Sequence, residues 1–390
     1  MCNTIQYLPF NTLLKKVIDN RGKTCPTDSF GIPLIATNCI TNTRLYPVFE
    51  NIRFVSQNTY DTWFRGHPEP GDMLLVLKGT PGRINWVPDP VNFCIAQDMV
   101  AIRADEKKVY PKYLFAALRS HLIQQEIESL HVGTLIPHFK KSEFDKLLIP
   151  CPSYKMQKYI GDMYFCFSQK IDLLQRQNST LENMAETQFR QWFIEDVRQQ
   201  WKISSLSCIA DFLNGLACQK YPPLNNIDKL PVLKIRELNN GISEDSDWAT
   251  SSVKQEYIVH FGDVIFSWSG SLLVEIWNGD DCVLNQHLFK VTSKKYPKWF
   301  YYLWCKHHLS EFILISESHA TTMGHIKRGD LDGAEVIIPD KKSFQEMNKI
   351  MNPIMDKYLF NQKQIRTLEK LRDSLLPRLM SGEVRVRVDE

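Results

Sequence analysis

Long apolar runs are missing from this 390-residue chain: none approaches the ~18 consecutive apolar positions of a membrane-crossing helix. The first residues, Met1-Cys2-Asn3-Thr4-Ile5-Gln6, also lack the basic-then-apolar layout of a signal peptide. The expectation is a cytoplasmic protein with no membrane partner. A dominant charge is missing too, with 47 Lys and Arg against 44 Asp and Glu, for a formal net charge of +3. A protein that holds DNA alone usually carries a stronger basic field. Either nucleic acid is excluded, or basic residues are concentrated locally and partners supply the remainder. Paired cysteines are lacking as well. Ten cysteines (2, 25, 39, 94, 151, 166, 208, 218, 282, 305) include no Cys-x-x-Cys and no Cys/His pair at zinc spacing. They read as reduced thiols.

Catalytic motifs are equally scarce. No Gly-x-Gly-x-x-Gly loop follows a strand pattern, and no Gly-x-Ser-x-Gly elbow occurs. The Pro-Pro dipeptide Pro222-Pro223 follows Tyr221 and so builds no Asp/Asn-Pro-Pro-aromatic tetrad. Gly22-Lys23-Thr24 invites a phosphate-loop reading, but Val17 stands where that loop needs its first glycine. His307-His308 has no third ligand at helical spacing, so it reads as an ordinary pair rather than a metal site. The chain is expected to catalyse nothing and to bind no metal or cofactor directly.

What is present is a composition of ordinary globular type, 43% apolar and 23% charged, with length for two domains. Every seventh residue from Ile160 gives Ile160, Phe167, Leu174, Leu181 and Gln188. The series four residues on gives Tyr164, Ile171, Asn178, Ala185 and Trp192. This 4-3 alternation marks a coiled-coil seam. With an offset of 187 it returns as Met347, Ile354, Asn361, Leu368, Leu375 and Met351, Tyr358, Ile365, Arg372, Leu379. Pro353 is expected to kink or start this second helix.

The segments before the two helices repeat as well. Pro33-Leu34-Ile35 is answered by Pro231-Val232-Leu233, Gly71-Asp72-Met73 by Gly262-Asp263-Val264, and Gln97 by Gln286. His138-Phe139-Lys140 is answered by His325-Ile326-Lys327, and Leu147-Leu148-Ile149-Pro150 by Val336-Ile337-Ile338-Pro339. The texture between is short strands and turns, with helical patterns at 8–18 and at 113–130. Four segments result: globular domains at 1–153 and 198–340, a central helix at 154–197, and a helix with a tail at 341–390. The fold class expected is mixed α+β. Repeat order also places the end of the chain (382–388) beside the N-terminal domain.

Turns rich in glycine, hydroxyls and positive charge sit at matching places in both halves: Lys78, Thr80 and Arg83 against Ser269 and Ser271, and His138, Lys140 and Lys141 against His325, Lys327 and Arg328. Glycine permits close backbone approach, hydroxyls and N–H groups bind phosphate, and Lys and Arg add charge. Asn285, Gln286 and His287 offer groups able to read purine edges in a major groove. Each loop alone reads as an ordinary connection between strands. Duplication on two unlike domains, held by a helical spacer, suits DNA with two separated half-sites.

The chain resembles the specificity subunit of type I restriction–modification enzymes over its whole length. The resemblance is carried by the run at 262–271 from Gly262-Asp263 through Ser269-Gly270-Ser271, by Asn285-Gln286-His287, and by the run at 368–383, Leu368-Glu369-Lys370-Leu371 through Ser381-Gly382-Glu383. It implies two target-recognition domains around two long helices packed as an antiparallel coiled coil with pseudo-two-fold symmetry. Each domain would read half of a bipartite double-stranded target, and the helices would set the spacing and dock two methyltransferase subunits. S-adenosylmethionine would belong to those subunits, and motor–nuclease subunits would complete the complex. The first half departs from the pattern, with Gln97-Asp98 for Asn-Gln-His and Pro81 within the glycine turn. Two other classes are a coiled-coil adaptor with two protein-binding domains and no DNA role, and a self-contained enzyme. A DNA gel shift with and without a methyltransferase subunit separates them.

Two misfits set the helix register. Asn178 and Asn361 interrupt the seams at non-equivalent positions, one an a residue and the other a d residue. In an antiparallel pair a faces d, so the two amides can meet. That register matches Ile160 with Leu379, Tyr164 with Leu375, Leu181 with Tyr358, Ala185 with Ile354 and, less well, Phe167 with Arg372.

Overall fold

Two compact units make up the protein in a computed structural model that describes residues 5–20, 22–130, 136–318 and 324–383. Unit 1 runs up to Leu174 and resumes at Thr367; unit 2 is Gln175–Arg366. Each unit therefore owns part of both long helices, Tyr154–Arg190 and Lys341–Met380.

Unit 1 has a four-stranded antiparallel sheet in the order Leu14–Ile18, Met99–Ala104, Met73–Val76, Ile84–Trp86. A three-stranded sheet orders Arg53–Val55, Ile32–Ile35, Cys94–Ile95, the last pair parallel. A two-stranded ribbon joins Gln6–Pro9 to Leu148–Cys151. Unit 2 repeats the plan. Its antiparallel sheet orders Asp211–Asn214, Leu288–Thr292, Val264–Ser267, Leu273–Ile276. Its second sheet orders Trp248–Ala249, Leu230–Leu233, Cys282–Leu284, Ile258–Val259, and its ribbon pairs Lys202–Ser205 with Glu335–Ile338. The mixed α+β class expected from the repeats is what the chain adopts.

The repeated Gly-Asp anchor has a structural cause. Gly71 and Gly262 adopt φ of 86° and 89°, a region that side chains with a Cβ avoid. The carboxylate that follows caps the turn. Asp72 accepts the N–H of Glu69 at 2.8 Å and Asp263 that of His260 at 2.8 Å. A cation from the adjacent strand then neutralises each, Arg103 on Asp72 (2.7 Å) and Lys290 on Asp263 (2.7 Å). A buried carboxylate needs such pairing. In return it fixes strand Met73–Val76 or Val264–Ser267 at its start.

The helices supply much of each core. In unit 1, Ile160, Tyr164 and Phe165 share a buried cluster with Leu376, Leu379 and Met380, with Leu375 packed against it. In unit 2, Ala185, Phe189 and Phe193 cluster with Met347, Met351 and Tyr358, with Leu181 and Ile354 at the edge. Unit 1 joins the first part of helix Tyr154–Arg190 to the last part of Lys341–Met380, and unit 2 joins the last part to the first, so the two helices run antiparallel. Burying one such side chain is worth roughly 1.5–3 kcal/mol. At the seam Asn361 Nδ2 donates to Asn178 Oδ1 at 2.9 Å.

Several local expectations give way to tertiary contacts. Residues 8–18 are strand, turn and strand rather than helix, because Gln6–Pro9 finds Leu148–Cys151 and Leu14–Ile18 finds Met99–Ala104. The helix expected at 113–130 breaks into Pro111–Arg119 and His121–Leu130 where Ser120 turns extended (ψ 144°). Helix Lys341–Met380 neither starts nor stops at Pro353. That residue and Lys349, whose carbonyl loses its donor, lie on the exposed face, where water can replace the bond. Arg372, matched poorly with Phe167 by the register, lies over Tyr164, 5.5 Å from the ring centroid, and pairs with Asp373 at 2.7 Å. The C-terminal helix does end in the core of unit 1, while the tail from 384 on lies outside the described residues.

Candidate nucleic-acid interface

In each unit three separate loops are drawn together by one pattern of main-chain bonds. In unit 1 the turn after strand Met73–Val76 meets the loop at 137–139 through an isolated bridge between Lys78 and His138. Gly79 N–H donates to Pro137 O (2.9 Å) and Phe139 N–H to Leu77 O (2.8 Å). The third loop enters when Leu77 N–H donates to Asp98 O (2.8 Å). Unit 2 does the same with different residues. Ser269 bridges His325, Gly270 N–H donates to Gly324 O (3.0 Å), and Ile326 N–H donates to Trp268 O (3.1 Å). The third loop joins by Trp268 N–H to His287 O (3.4 Å). Residues far apart in sequence thus converge by backbone bonding, leaving side chains free to differ between units.

Unit 1 presents a cleft lined by Gln97, Asp98, His138, Lys140, Lys141 and Arg65. Thr80, Arg83 and Lys140 are exposed around it. Lys141 is ion-paired to Asp19, and Lys78 lies 4.0 Å from Asp98. Such pairs between part-exposed groups are weak and readily exchanged for phosphate. Asp98 takes a positive φ of 74°, so Gln97-Asp98 forms a tight turn where unit 2 has three residues available.

In unit 2, Ser271, His325, Lys327 and Arg328 are exposed. Lys327 N–H is capped by Asp330 (2.6 Å), which fixes the start of helix Arg328–Gly333 and holds both cations at its N-terminus. Gln286 and His287 are partly exposed and touch, Nε2 to Nε2 at 3.3 Å, while His287 Nδ1 lies 2.9 Å from Ser269 Oγ. A ring protonated at Nδ1 satisfies both contacts.

Two expected contact residues turn inward. Asn285 is only 3% exposed, and its Oδ1 accepts the N–H of His287 (3.4 Å). Ser269 is buried under His287. Both shape the turn that presents Gln286 and His287, because a turn with several unpaired N–H groups must satisfy them internally. Trp268 lies within the repeated turn at 262–271 but is not among the residues expected to contact DNA. Its Nε1 donates to Asn214 (3.1 Å) and its ring stacks on Phe289, which walls the convergent loops. An indole between Ser267 and Ser269 was the available signal. Among the described residues no group of three or more His, Cys, Asp or Glu could hold a metal. His308 is engaged with Glu335 O (2.9 Å) and Glu311 (3.2 Å).

A duplicated arrangement of loops matches a duplicated family model, that of the type I restriction modification DNA specificity domain, at residues 14–183 and 198–370. The chain belongs to that family. As a DNA-specificity subunit with two target-recognition domains, it recognises sequence and does not itself catalyse. The specificity subunit of the type I restriction enzyme MjaIX of Methanocaldococcus jannaschii is 25% identical over 332 residues, 76% of each chain. That of MjaVIII, from the same organism, is 21% identical over 328 residues, 75% of each chain. The crystal structure of a type I system S subunit from M. genitalium superposes with a TM-score of 0.57 at 15% identity, covering 97% of this chain and 96% of that one, which shows a shared fold. No helix among the described residues of this specificity subunit is long and apolar enough to cross a membrane.

Proposed function

We propose that this chain is the cytoplasmic DNA-reading subunit of a type I restriction–modification complex, each unit reading one half of a bipartite double-stranded target. The observation that carries the reading is the convergence of the same three loops in both units, bonded alike and furnished differently. One scaffold with two side-chain sets is what two unlike half-sites require. Lys78, Lys140, Lys141, Lys327 and Arg328 serve phosphates, joined by the hydroxyls of Thr80 and Ser271 and by Arg83. Gln286, whose amide can pair bidentately with adenine, and the imidazoles His287, His325 and His138 serve base edges. Asn285 and Ser269 act behind them as positioning residues.

The two long helices set the spacing between half-sites and offer the surface on which two methyltransferase subunits dock. S-adenosylmethionine is bound by those subunits, and motor–nuclease subunits complete the assembly. The modest net charge of +3 fits this division, because partners then supply much of the phosphate neutralisation. The test is long-read methylation mapping of host DNA with and without the gene. A bipartite motif whose methylation vanishes with the gene is the expected result. A gel shift with the co-expressed methyltransferase subunit should show the same preference. Unchanged methylation, together with no shift, would refute the reading.

A further inference from the structure

Each unit holds large apolar side chains out in water at the same place in its fold, on the loop that joins the edge strand of the main sheet to the second sheet. In unit 1 this loop lies between Leu14–Ile18 and Ile32–Ile35, and Phe30 is 80% exposed. In unit 2 it lies between Asp211–Asn214 and Leu230–Leu233, with Leu224 74% and Ile227 95% exposed. Apolar side chains exposed singly are ordinary on a protein surface; it is the recurrence of nearly bare ones at the same place in both units that calls for an account. These are also not slack loops. In unit 2, Asn225 Oδ1 accepts the N–H groups of Ile227 (2.8 Å) and Asp228 (2.6 Å). The Asp228 carboxylate in turn grips the hydroxyls of Thr250, Ser251 and Ser252. In unit 1, Asp28 N–H donates to Phe54 O at 2.8 Å. Gly31, with φ of 133°, packs so closely that a Cβ there would stand 2.3 Å from the Val55 carbonyl oxygen.

Both loops grow out of the candidate DNA surface. In unit 2, Leu216 at the loop's root bridges Asn285 and accepts the N–H of Gln286 (2.8 Å). At its far end Lys229 lies 4.5 Å over Trp248, which lines one cleft with Asn285 and Lys234. In unit 1, Asn20 and Gly22 at the loop's root line the cleft that holds His138 and Lys140. The same loops carry lysines, Lys220 and Lys229 in unit 2 and Lys23 in unit 1. Apolar tips on a braced loop that also carries cations fit a duplex whose bases they can wedge apart while phosphates are held.

We propose that Phe30 in unit 1, and Leu224 with Ile227 in unit 2, are wedges that enter the base stack of the target DNA, one step in or beside each half-site. This rests on the DNA-reading function proposed above. The wedge reads deformability, since a flexible pyrimidine–purine step opens more cheaply than a stiff one.

The experiment uses the complex of this chain with its methyltransferase subunits and a duplex carrying the mapped target. 2-Aminopurine is placed in turn at each position across both half-sites and their flanks. The wild-type complex should brighten the probe at one step per half-site. Leu224→Ser with Ile227→Ser should abolish the signal at one half-site only and weaken binding on the order of tenfold. Phe30→Ser should do so at the other. Circular dichroism checks folding, and the exposed positions make serine tolerable there. If the wild type binds its target but no probe brightens, or the variants bind equally well, the wedge is refuted and the DNA-reading function stands. If the variants instead lose their methyltransferase subunits on size exclusion with the probe signal unchanged, the tips meet protein and the wedge is refuted. If the wild-type complex prefers no sequence, both proposals fall.

Discussion

Replacing each amide of the buried pair by leucine should produce unequal and strongly coupled effects. Asn361 is fully buried, and its Nδ2 donates to Asn178 Oδ1 at 2.9 Å, with a longer contact to Gln177 Oε1 at 3.4 Å. Asn178 Nδ2 donates to the Tyr358 carbonyl at 3.3 Å. The Asn361 Oδ1 finds no donor among the described residues. Asn178→Leu therefore leaves a whole amide buried with one long hydrogen bond, at the upper end of the ~1–3 kcal/mol that unsatisfied buried groups cost. Asn361→Leu strands only Asn178 Oδ1 and removes an unmatched carbonyl at the same time, so its cost should be nearer ~1 kcal/mol. The double leucine variant strands nothing. Its cost should fall below the sum of the singles by on the order of 1–2 kcal/mol. Urea unfolding followed by tryptophan fluorescence is a suitable assay, because Trp63 and Trp86 lie in unit 1 while the other seven tryptophans lie in unit 2 with the pair. Additive costs, or Asn361→Leu the more damaging single change, would refute the reasoning.

Lys140→Ala, or Lys327→Ala with Arg328→Ala, should weaken binding to every duplex alike and lower the slope of log K against log salt by roughly one for each phosphate no longer neutralised. Titrations at several salt concentrations measure it. Gln286→Ala should change base preference at one half-site, read by methylation mapping, whereas Asn285→Ala should lower the melting temperature of the protein. Glu182 is held above its usual carboxylate range by burial, with Glu186 adding and with Lys306 and a hydrogen bond from Tyr358 opposing. A raised folded value makes its contribution favourable below the unfolded value and lost as pH rises through the folded one. Glu182→Gln should therefore raise the melting temperature more at pH 8 than at pH 5, and an equal gain at both would contradict the assignment.

The helices were legible because a 4-3 repeat is a local property: each seam residue is placed by counting along one chain, and the antiparallel match of Asn178 with Asn361 follows from which series each occupies. The duplication was legible for a related reason. Gly71-Asp72 and Gly262-Asp263 are demanded by a left-handed turn and a capping carboxylate, so they recur even where other residues drift. What tertiary structure alone decided was pairing over distance and burial. Residues 8–18 carry a helical spacing, yet strands at 99–104 and 148–151 offered them a ladder, and sequence pattern cannot weigh a partner that far away. Asn285 and Gln286 are neighbours of similar chemistry, and only the folded turn shows that the first faces in to hold the main chain while the second faces out. The exposed tips Phe30, Leu224 and Ile227 are illegible in the sequence for the same reason. An apolar residue in a linear sequence looks like core, and the fold alone reveals that these three have been kept out of it.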